Sequence, residues 1–156
     1  MKFLLTVVFA FFLVGNVVGA CTDGCECPDF MSFVQGSIPV QYTQDVGCSP
    51  NATCPLVTDL VVHWNETEIP VPDDADSTRT FTPCTHDSWP SLPGNPIEIM
   101  AFFGIICENQ SWYATKYPKG FFYYKIGASD SETTHYQEEF QGKKSKISGV
   151  WCYERS

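Results

Sequence analysis

The sequence predicts an all-β domain, most simply an antiparallel β-sandwich of short strands held by disulfides, with one long proline-rich loop. Three observations favour it. Apolar and polar residues alternate with a period of two in several segments, prolines and glycines separate these segments, and eight cysteines are scattered along the chain. No segment has the pattern of a long amphipathic helix.

Residues 56–64, LVTDLVVHW, give the clearest strand. The even-numbered positions are mostly apolar, whereas the odd-numbered positions include Asp59 and His63. This alternation is typical of a strand that buries one face. Residues 38–43 repeat the pattern, and further strands are predicted over Arg79–Thr82 and Lys146–Tyr153.

The proline-rich loop is predicted over Glu68–Pro96, which holds six of the eleven prolines. Proline cannot donate to a β-ladder, so most of this segment should be loop, attached to the domain through Cys84. The next segment, Ile97–Cys107, is apolar on both faces after Glu98 and is predicted to be a central strand.

Residues 109–124, NQSWYATKYPKGFFYY, hold seven aromatic side chains. A polar loop over Glu108–Ser111, a strand over Trp112–Tyr117, a turn at Tyr117–Gly120 and a strand over Phe121–Ile126 predict a three-strand meander. Aromatic pairs should face each other across its strands and fill the core.

Within this meander, Phe122, Tyr124 and Ile126 are predicted to form an apolar face. Tyr113, Tyr117 and Tyr123 are predicted on a wetter face. That second face is a candidate surface for binding a sugar or a protein, because tyrosine is favoured at contact surfaces.

Residues 1–20 are predicted to be a signal peptide, with Lys2 before an apolar run and small residues before a cleavage site after Ala20. Residues 21–156 then form one secreted domain. A membrane anchor is an alternative, but the run is shorter than the ~20 residues a span needs. A bacterial lipoprotein is another, because Val-Gly-Ala-Cys resembles a loose lipobox. No later segment is long enough to span a membrane.

The cysteines predict four disulfides formed in an oxidising, extracellular compartment. The alternative, a metal site around the pair in Cys-Glu-Cys, is disfavoured because the later cysteines are scattered singly rather than in a second cluster. Sequence alone does not choose among the possible pairings. The cysteines are Cys21, Cys25, Cys27, Cys48, Cys54, Cys84, Cys107 and Cys152.

Three N-glycosylation sequons begin at Asn51, Asn65 and Asn109. Only one asparagine of residues 21–156 lies outside a sequon. The cluster predicts a secreted eukaryotic glycoprotein, in which these three side chains must face solvent.

Charge is unevenly distributed. Residues 21–115 carry thirteen acidic residues and one basic residue, so nucleic-acid binding through a general basic field is not expected. Residues 143–146, KKSK, could contact an anionic surface such as a sulfated glycan, but a solvated loop is the preferred interpretation.

No catalytic residue, cofactor or metal is predicted. Thr85–Ser88 contains the residue types of a catalytic triad, but triad members normally come from separate parts of a chain. Calcium binding by Asp73, Asp74 and Asp76 is the alternative to a solvated acidic loop, and the EF-hand spacing is absent.

The C-terminal third contains Cys107, Trp112-Tyr113, the Tyr117–Gly120 turn, Gly142–Ile147 and Cys152. In these features it resembles a nematode family of secreted cysteine-rich domains of unknown function. The resemblance implies a disulfide between Cys107 and Cys152. It implies no catalytic residue.

The sequence therefore predicts a non-enzymatic extracellular binding module whose partner is a protein or a glycan, contacted through the proline-rich loop or the tyrosine face. One alternative is a carrier of lipid or another small ligand, with an apolar pocket between two sheets. Another is a secreted hydrolase built on His86 or His135.

Overall fold

The structure is a computed structural model that describes residues 24–36, 38–45, 47–55, 57–85, 96–129, 131–133 and 138–153. The predicted signal peptide and Cys21 lie outside these residues, as do His86 and His135. Within the described part of the chain, no helix is long and apolar enough to cross a membrane.

Eleven strands are formed by the described residues. They are β1 (Val34–Gln35), β2 (Gln41–Gln44), β3 (Pro50–Cys54), β4 (Val57–Thr67), β5 (Thr80–Pro83), β6 (Ile97–Glu98), β7 (Ile106–Glu108), β8 (Ser111–Ala114), β9 (Phe121–Tyr124), β10 (Ser131–Thr133) and β11 (Ser145–Tyr153). One α-helix, α1 (Ile99–Phe103), and two 3-10 helices, Phe30–Phe33 and Glu138–Phe140, complete the described elements.

The strands form a large sheet and a small one. The large sheet has the order β10-β9-β5-β4-β11-β8-β7, with β1 pairing in parallel with β11. The small sheet has the order β2-β3-β6. Apart from the β1–β11 pair, the pairings are antiparallel. The all-β prediction is confirmed, whereas the structure does not confirm a sandwich.

The strand predicted over residues 56–64 is confirmed as part of β4. Leu60, Val62 and Trp64 are buried and His63 is exposed, as the alternation requires. The strands predicted near residues 79–82 and 146–153 are β5 and β11. From residues 38–43, only the second half enters a strand, as β2.

The predicted central strand over Ile97–Cys107 is wrong, because α1 occupies its middle. The Glu98 carboxylate caps this helix by accepting from the backbone N–H groups of Met100 and Ala101. Gly104 ends it in the left-handed conformation, with φ 56°. An apolar run gives no periodicity that separates a buried strand from a short buried helix.

The predicted meander is only half correct. β7 and β8 form a hairpin, but β9 lies on the far side of β11, β4 and β5. The chain leaves β8 because the N–H groups of Thr115 and Lys116 donate to the carbonyl oxygen of Phe103 instead of continuing a ladder. The predicted turn follows, with Gly120 N donating to Tyr117 O at 3.0 Å.

The aromatic rings of residues 109–124 mostly fill the core, as predicted. Five of the seven are buried, namely Trp112, Tyr117, Phe121, Phe122 and Tyr123. One apolar cluster joins the large sheet to the small sheet and α1, and a second contains Trp64, Phe81 and Phe121. The predicted apolar face fails at Ile126, which is 72% exposed beyond the end of β9.

Candidate functional site

A surface groove of about 450 Å³ lies where the β7–β8 hairpin meets the adjoining ends of β4 and β11. We call it the hairpin groove. Seven of its eight lining residues have polar or charged side chains, and the eighth contributes an aromatic ring. The lining residues are Glu66, Thr67, Glu68, Glu108, Asn109, Tyr113, Lys144 and Lys146.

Two ion pairs cross the hairpin groove. The Nζ of Lys144 bonds a carboxylate oxygen of Glu108, and the Nζ of Lys146 lies 2.8 Å from Oε1 of Glu66. Hydrogen bonding to these carboxylates raises the pKa of both lysines above its usual range. Since the four side chains are partly exposed, their contribution to stability is small, but they give the groove a fixed alternation of charge.

These ion pairs determine whether the basic run at residues 143–146 gives the groove a net positive charge. The lining holds three carboxylates and two ammonium groups, and the Nζ of Lys143 lies 3.4 Å from the backbone oxygen of Glu68. The run is therefore partnered by acidic residues and backbone, and the lining has no net positive charge. An anionic ligand such as a sulfated glycan gains little here.

A buried polar network lies next to the groove. The Tyr117 hydroxyl is 2.6 Å from Oγ of Ser145, which is 2.6 Å from Oγ1 of Thr67. The same hydroxyl is 3.1 Å from the carbonyl oxygen of Ala114 and 3.0 Å from that of Lys143. The network holds the start of β11 against β8 and the end of β4, and so fixes one wall of the groove.

Burial raises the pKa of Tyr117 to about 12, from an ordinary value of 10.0; the Ser145 hydrogen bond opposes this rise and the nearby Glu68 carboxylate adds to it. Because the folded pKa is the higher one, stability is fully present below pH 10. It is lost as pH rises from about 10 to 12. The difference corresponds to a loss of about 3 kcal/mol at the upper limit.

We expect Tyr117→Phe to remove most of this alkaline loss, because the variant has no hydroxyl to ionise. At neutral pH it should be less stable by about 1–2 kcal/mol, the usual cost of a buried hydrogen bond. Urea unfolding of the wild type and the variant between pH 8 and pH 12 measures both effects. Tyr113→Phe is the control and should keep the alkaline loss. Equal losses in wild type and Tyr117→Phe would contradict the assignment.

The tip of the hairpin is a two-residue turn formed by Asn109 and Gln110. Both have left-handed backbones, with φ 49° and φ 60°, and Glu108 pairs with Ser111 on either side. Asparagine adopts this conformation more readily than most residues, which suits the tight hairpin turn. The sequence predicted a four-residue loop here, and the structure shortens it to two.

The predicted tyrosine face does not exist as a surface. Tyr113 is half-buried and lines the hairpin groove. Tyr117 is 0% exposed and Tyr123 is 8% exposed, so both belong to the core. Their polar hydroxyls suggested a surface position in the sequence, but the hydroxyls form hydrogen bonds within the protein. Tyr123, for example, donates to Oδ1 of Asp74 at 2.9 Å.

The three sequon asparagines, Asn51, Asn65 and Asn109, are all exposed, as their glycosylation would require. Asn51 lies on β3 and Asn65 on β4. Asn109 is the one that lines the hairpin groove.

Three disulfides are formed by the described residues. They join Cys25 to Cys48, Cys27 to Cys107, and Cys54 to Cys152. The predicted bond between Cys107 and Cys152 is therefore wrong. Both residues lie in the large sheet, but each bonds a cysteine outside it: Cys107 on β7 bonds the N-terminal segment and Cys152 on β11 bonds the small sheet. Cys84 is buried, and Cys21 lies outside the described residues.

The acidic run at residues 73–76 is folded against β9. Asp74 accepts from Tyr123, and its other oxygen lies 3.3 Å from Nζ of Lys125. These contacts, the Tyr123 hydrogen bond first, hold the pKa of Asp74 below its usual range. Asp76 accepts from the hydroxyl and backbone of Thr78. The carboxylates thus have protein partners, which favours the interpretation as a loop over that of a calcium site.

Glu66, Glu68 and Glu108 were not singled out from the sequence. Lys144 and its partner Glu108 are 36 residues apart, and Lys146 and Glu66 are 80 residues apart. No local pattern connects such positions, since the sheet order brings them together. The one available signal was the lysine run itself, whose charges need partners in an acidic chain.

A model of one protein family, described as TRA-1 regulated protein R03H10.4, matches residues 23–152. The chain belongs to this family. The match confirms the resemblance to a nematode family of unknown function, and it extends far beyond the C-terminal third from which the sequence suggested it. No curated protein and no solved structure matches the chain. The match to the TRA-1 regulated protein R03H10.4 family covers nearly all of the described residues, but the family has no known function. A function for this chain is therefore inferred from the hairpin groove.

Proposed function

We propose that the protein is an extracellular, non-enzymatic binding module and that the hairpin groove is its contact surface. The observation that carries the proposal is the lining itself. One partly exposed aromatic ring, Tyr113, lies among paired ammonium and carboxylate groups in an open groove. Secretion is supported by the predicted signal peptide and by the disulfides.

The two predicted kinds of partner are a protein and a glycan; we favour a glycan, and a neutral one suits the groove better than an anionic one. Sugar hydroxyls need both donors and acceptors, and the lysine and glutamate side chains supply them in alternation. The apolar face of a sugar ring can pack on an aromatic ring such as that of Tyr113. A sulfated glycan would meet the carboxylates of Glu66, Glu68 and Glu108.

The alternatives receive less support. A lipid carrier needs a pocket with a mainly apolar lining, whereas seven of the eight residues that line the hairpin groove have polar or charged side chains. A second groove, with residues such as Asp45, Asn51 and Glu98, is also mixed in character. A hydrolase on His86 or His135 would use residues outside the described part of the chain, and His63 is an exposed residue of β4.

We expect Tyr113→Ala to weaken binding to a neutral glycan about tenfold, which corresponds to about 1.4 kcal/mol. The measurement uses disulfide-bonded protein made without glycans in the bacterial periplasm, applied to an array of neutral and sulfated glycans. Ile126→Ala is the matched control, because Ile126 is exposed and lies outside the groove.

Binding only to sulfated glycans, unchanged by Tyr113→Ala, would contradict the proposed groove and assign contact to the basic run instead. Binding to an isolated extracellular protein that persists after its glycans are removed, and that Tyr113→Ala weakens, would identify a protein partner at the same site. Absence of binding to any glycan or extracellular protein would overturn the proposal.

A further inference from the structure

We propose that Asn109 carries an N-glycan whose first sugar residues lie in the hairpin groove and control access to it. The claim that the glycan occupies the groove stands on the position of Asn109. The claim that it controls access rests on the proposed binding function.

The first argument is the position of the attachment site. Asn109 is exposed, begins a sequon that Ser111 completes, and is itself part of the groove lining. Of the three sequon asparagines, Asn51 and Asn65 do not line this groove. A sugar joined to the Asn109 side chain therefore starts at the edge of the groove, whereas sugars on the other two start elsewhere.

The second argument is that the attachment site is held in place. On β7, before the hairpin tip, Cys107 is bonded to Cys27 in the N-terminal segment. On β8, after the tip, the Nε1 of Trp112 donates to the carbonyl oxygen of Pro28 at 2.8 Å. The turn between them has only two residues. Both arms of the hairpin are thus anchored to one segment, so the first sugar has a restricted set of positions.

The third argument is the chemistry that those positions offer. The first sugar of an N-glycan is an N-acetylhexosamine, with hydroxyls, an acetamide and one apolar ring face. Tyr113 is half-buried, opposite Ile106 and Lys146 on the adjoining strands. Its ring can receive the apolar face, while the Lys144 and Glu108 pair can bond the polar groups. A linked sugar gains these contacts at a high effective concentration, which a free ligand lacks.

The test compares three forms of the protein secreted from eukaryotic cells that make high-mannose glycans. They are the wild type, the wild type trimmed by an endoglycosidase that leaves one sugar, and Ser111→Ala, which removes the sequon but keeps Asn109 in the turn. Glycopeptide mass spectrometry measures occupancy of Asn109. Lysine acylation and tyrosine nitration rates measure how accessible the groove is.

In both glycosylated forms we expect Lys144, Lys146 and Tyr113 to react several-fold more slowly than in Ser111→Ala. Lys116, which is exposed and outside the groove, should react at the same rate in all three. Asn51→Gln is the matched control for losing one glycan and should not change the rates at the groove. Added neutral glycan should bind Ser111→Ala several-fold more tightly than the wild type.

An unoccupied Asn109, or equal labelling rates with and without its glycan, would overturn the inference and leave the proposed binding function intact. Protection by the Asn109 glycan without any binding of added glycan or extracellular protein by Ser111→Ala would support occupancy of the groove. Such protection without any binding would, however, overturn both the control of access and the proposed binding function.

Discussion

Replacing Cys54 and Cys152 together by alanine is expected to lower the free energy of unfolding by about 4–5 kcal/mol. This bond closes a loop with a sequence separation of 98 residues, and loops of that size gain most from a cross-link in the chain-entropy description. It also ties β3 of the small sheet to β11 in the large one, and both cysteines are fully buried. Since domains of this size are stable by only about 5–15 kcal/mol, the variant should lose much of its stability.

Cys25→Ala with Cys48→Ala is the matched control, because that bond closes a loop with a separation of only 23 residues. Its expected loss is about 3 kcal/mol by the same relation. Urea unfolding under non-reducing conditions measures both double variants. An equal or larger loss for the short loop would show that local packing, and not the length of the closed loop, sets the contribution of these bonds.

The strands that the sequence predicted correctly are those that bury one face. β4, β5 and β11 show alternation, and alternation depends only on neighbours along the chain. The segment at residues 97–107 was misassigned because it is apolar on both faces after Glu98 and therefore shows no periodicity. The one local signal in the sequence was Gly104, since glycine often ends a helix in the left-handed conformation, whereas the cap formed by Glu98 is seen only in the structure.

Strand order and disulfide pairing could not be obtained in this way. Three strands, β5, β4 and β11, separate β9 from β8 in the sheet, although β8 and β9 are adjacent in sequence. The turn at Tyr117–Gly120 was recognised correctly, but a turn does not show which strands it leads between. The same limit applies to Cys107 and Cys152, which the C-terminal resemblance placed together and which the three-dimensional arrangement assigns to different partners.

The candidate site was predicted in fragments. Asn109, Tyr113 and the lysine run were each singled out, for glycosylation, contact and charge in turn. The structure unites them in one groove and adds glutamates from β4 and β7. Residue types alone could not separate Tyr113 from Tyr117, since both belong to the strand predicted over Trp112–Tyr117. What separates them is the buried network of Ser145 and two carbonyl oxygens that accommodates the Tyr117 hydroxyl.

Tyr117→Ala and Tyr113→Ala should therefore differ in how much stability they lose, although both residues were predicted to share one surface. Truncating the fully buried Tyr117 leaves a cavity and removes the hydroxyl from the network, so we expect a loss of about 3–5 kcal/mol in the free energy of unfolding. Tyr113 is half-buried on the outer side of β8, and its truncation should cost about 1 kcal/mol or less.

Chemical unfolding followed by tryptophan fluorescence gives both values, and glycan binding is measured on the same samples. Tyr113→Ala should stay folded and bind the glycan about tenfold more weakly, whereas Tyr117→Phe should bind like the wild type at neutral pH because its ring still fills the core. Binding loss in Tyr117→Phe that matches the loss in Tyr113→Ala would show that the Tyr117 hydroxyl contributes to the contact surface. A stability loss in Tyr113→Ala as large as that of Tyr117→Ala would instead place Tyr113 in the core and remove the aromatic ring on which the groove's proposed function depends.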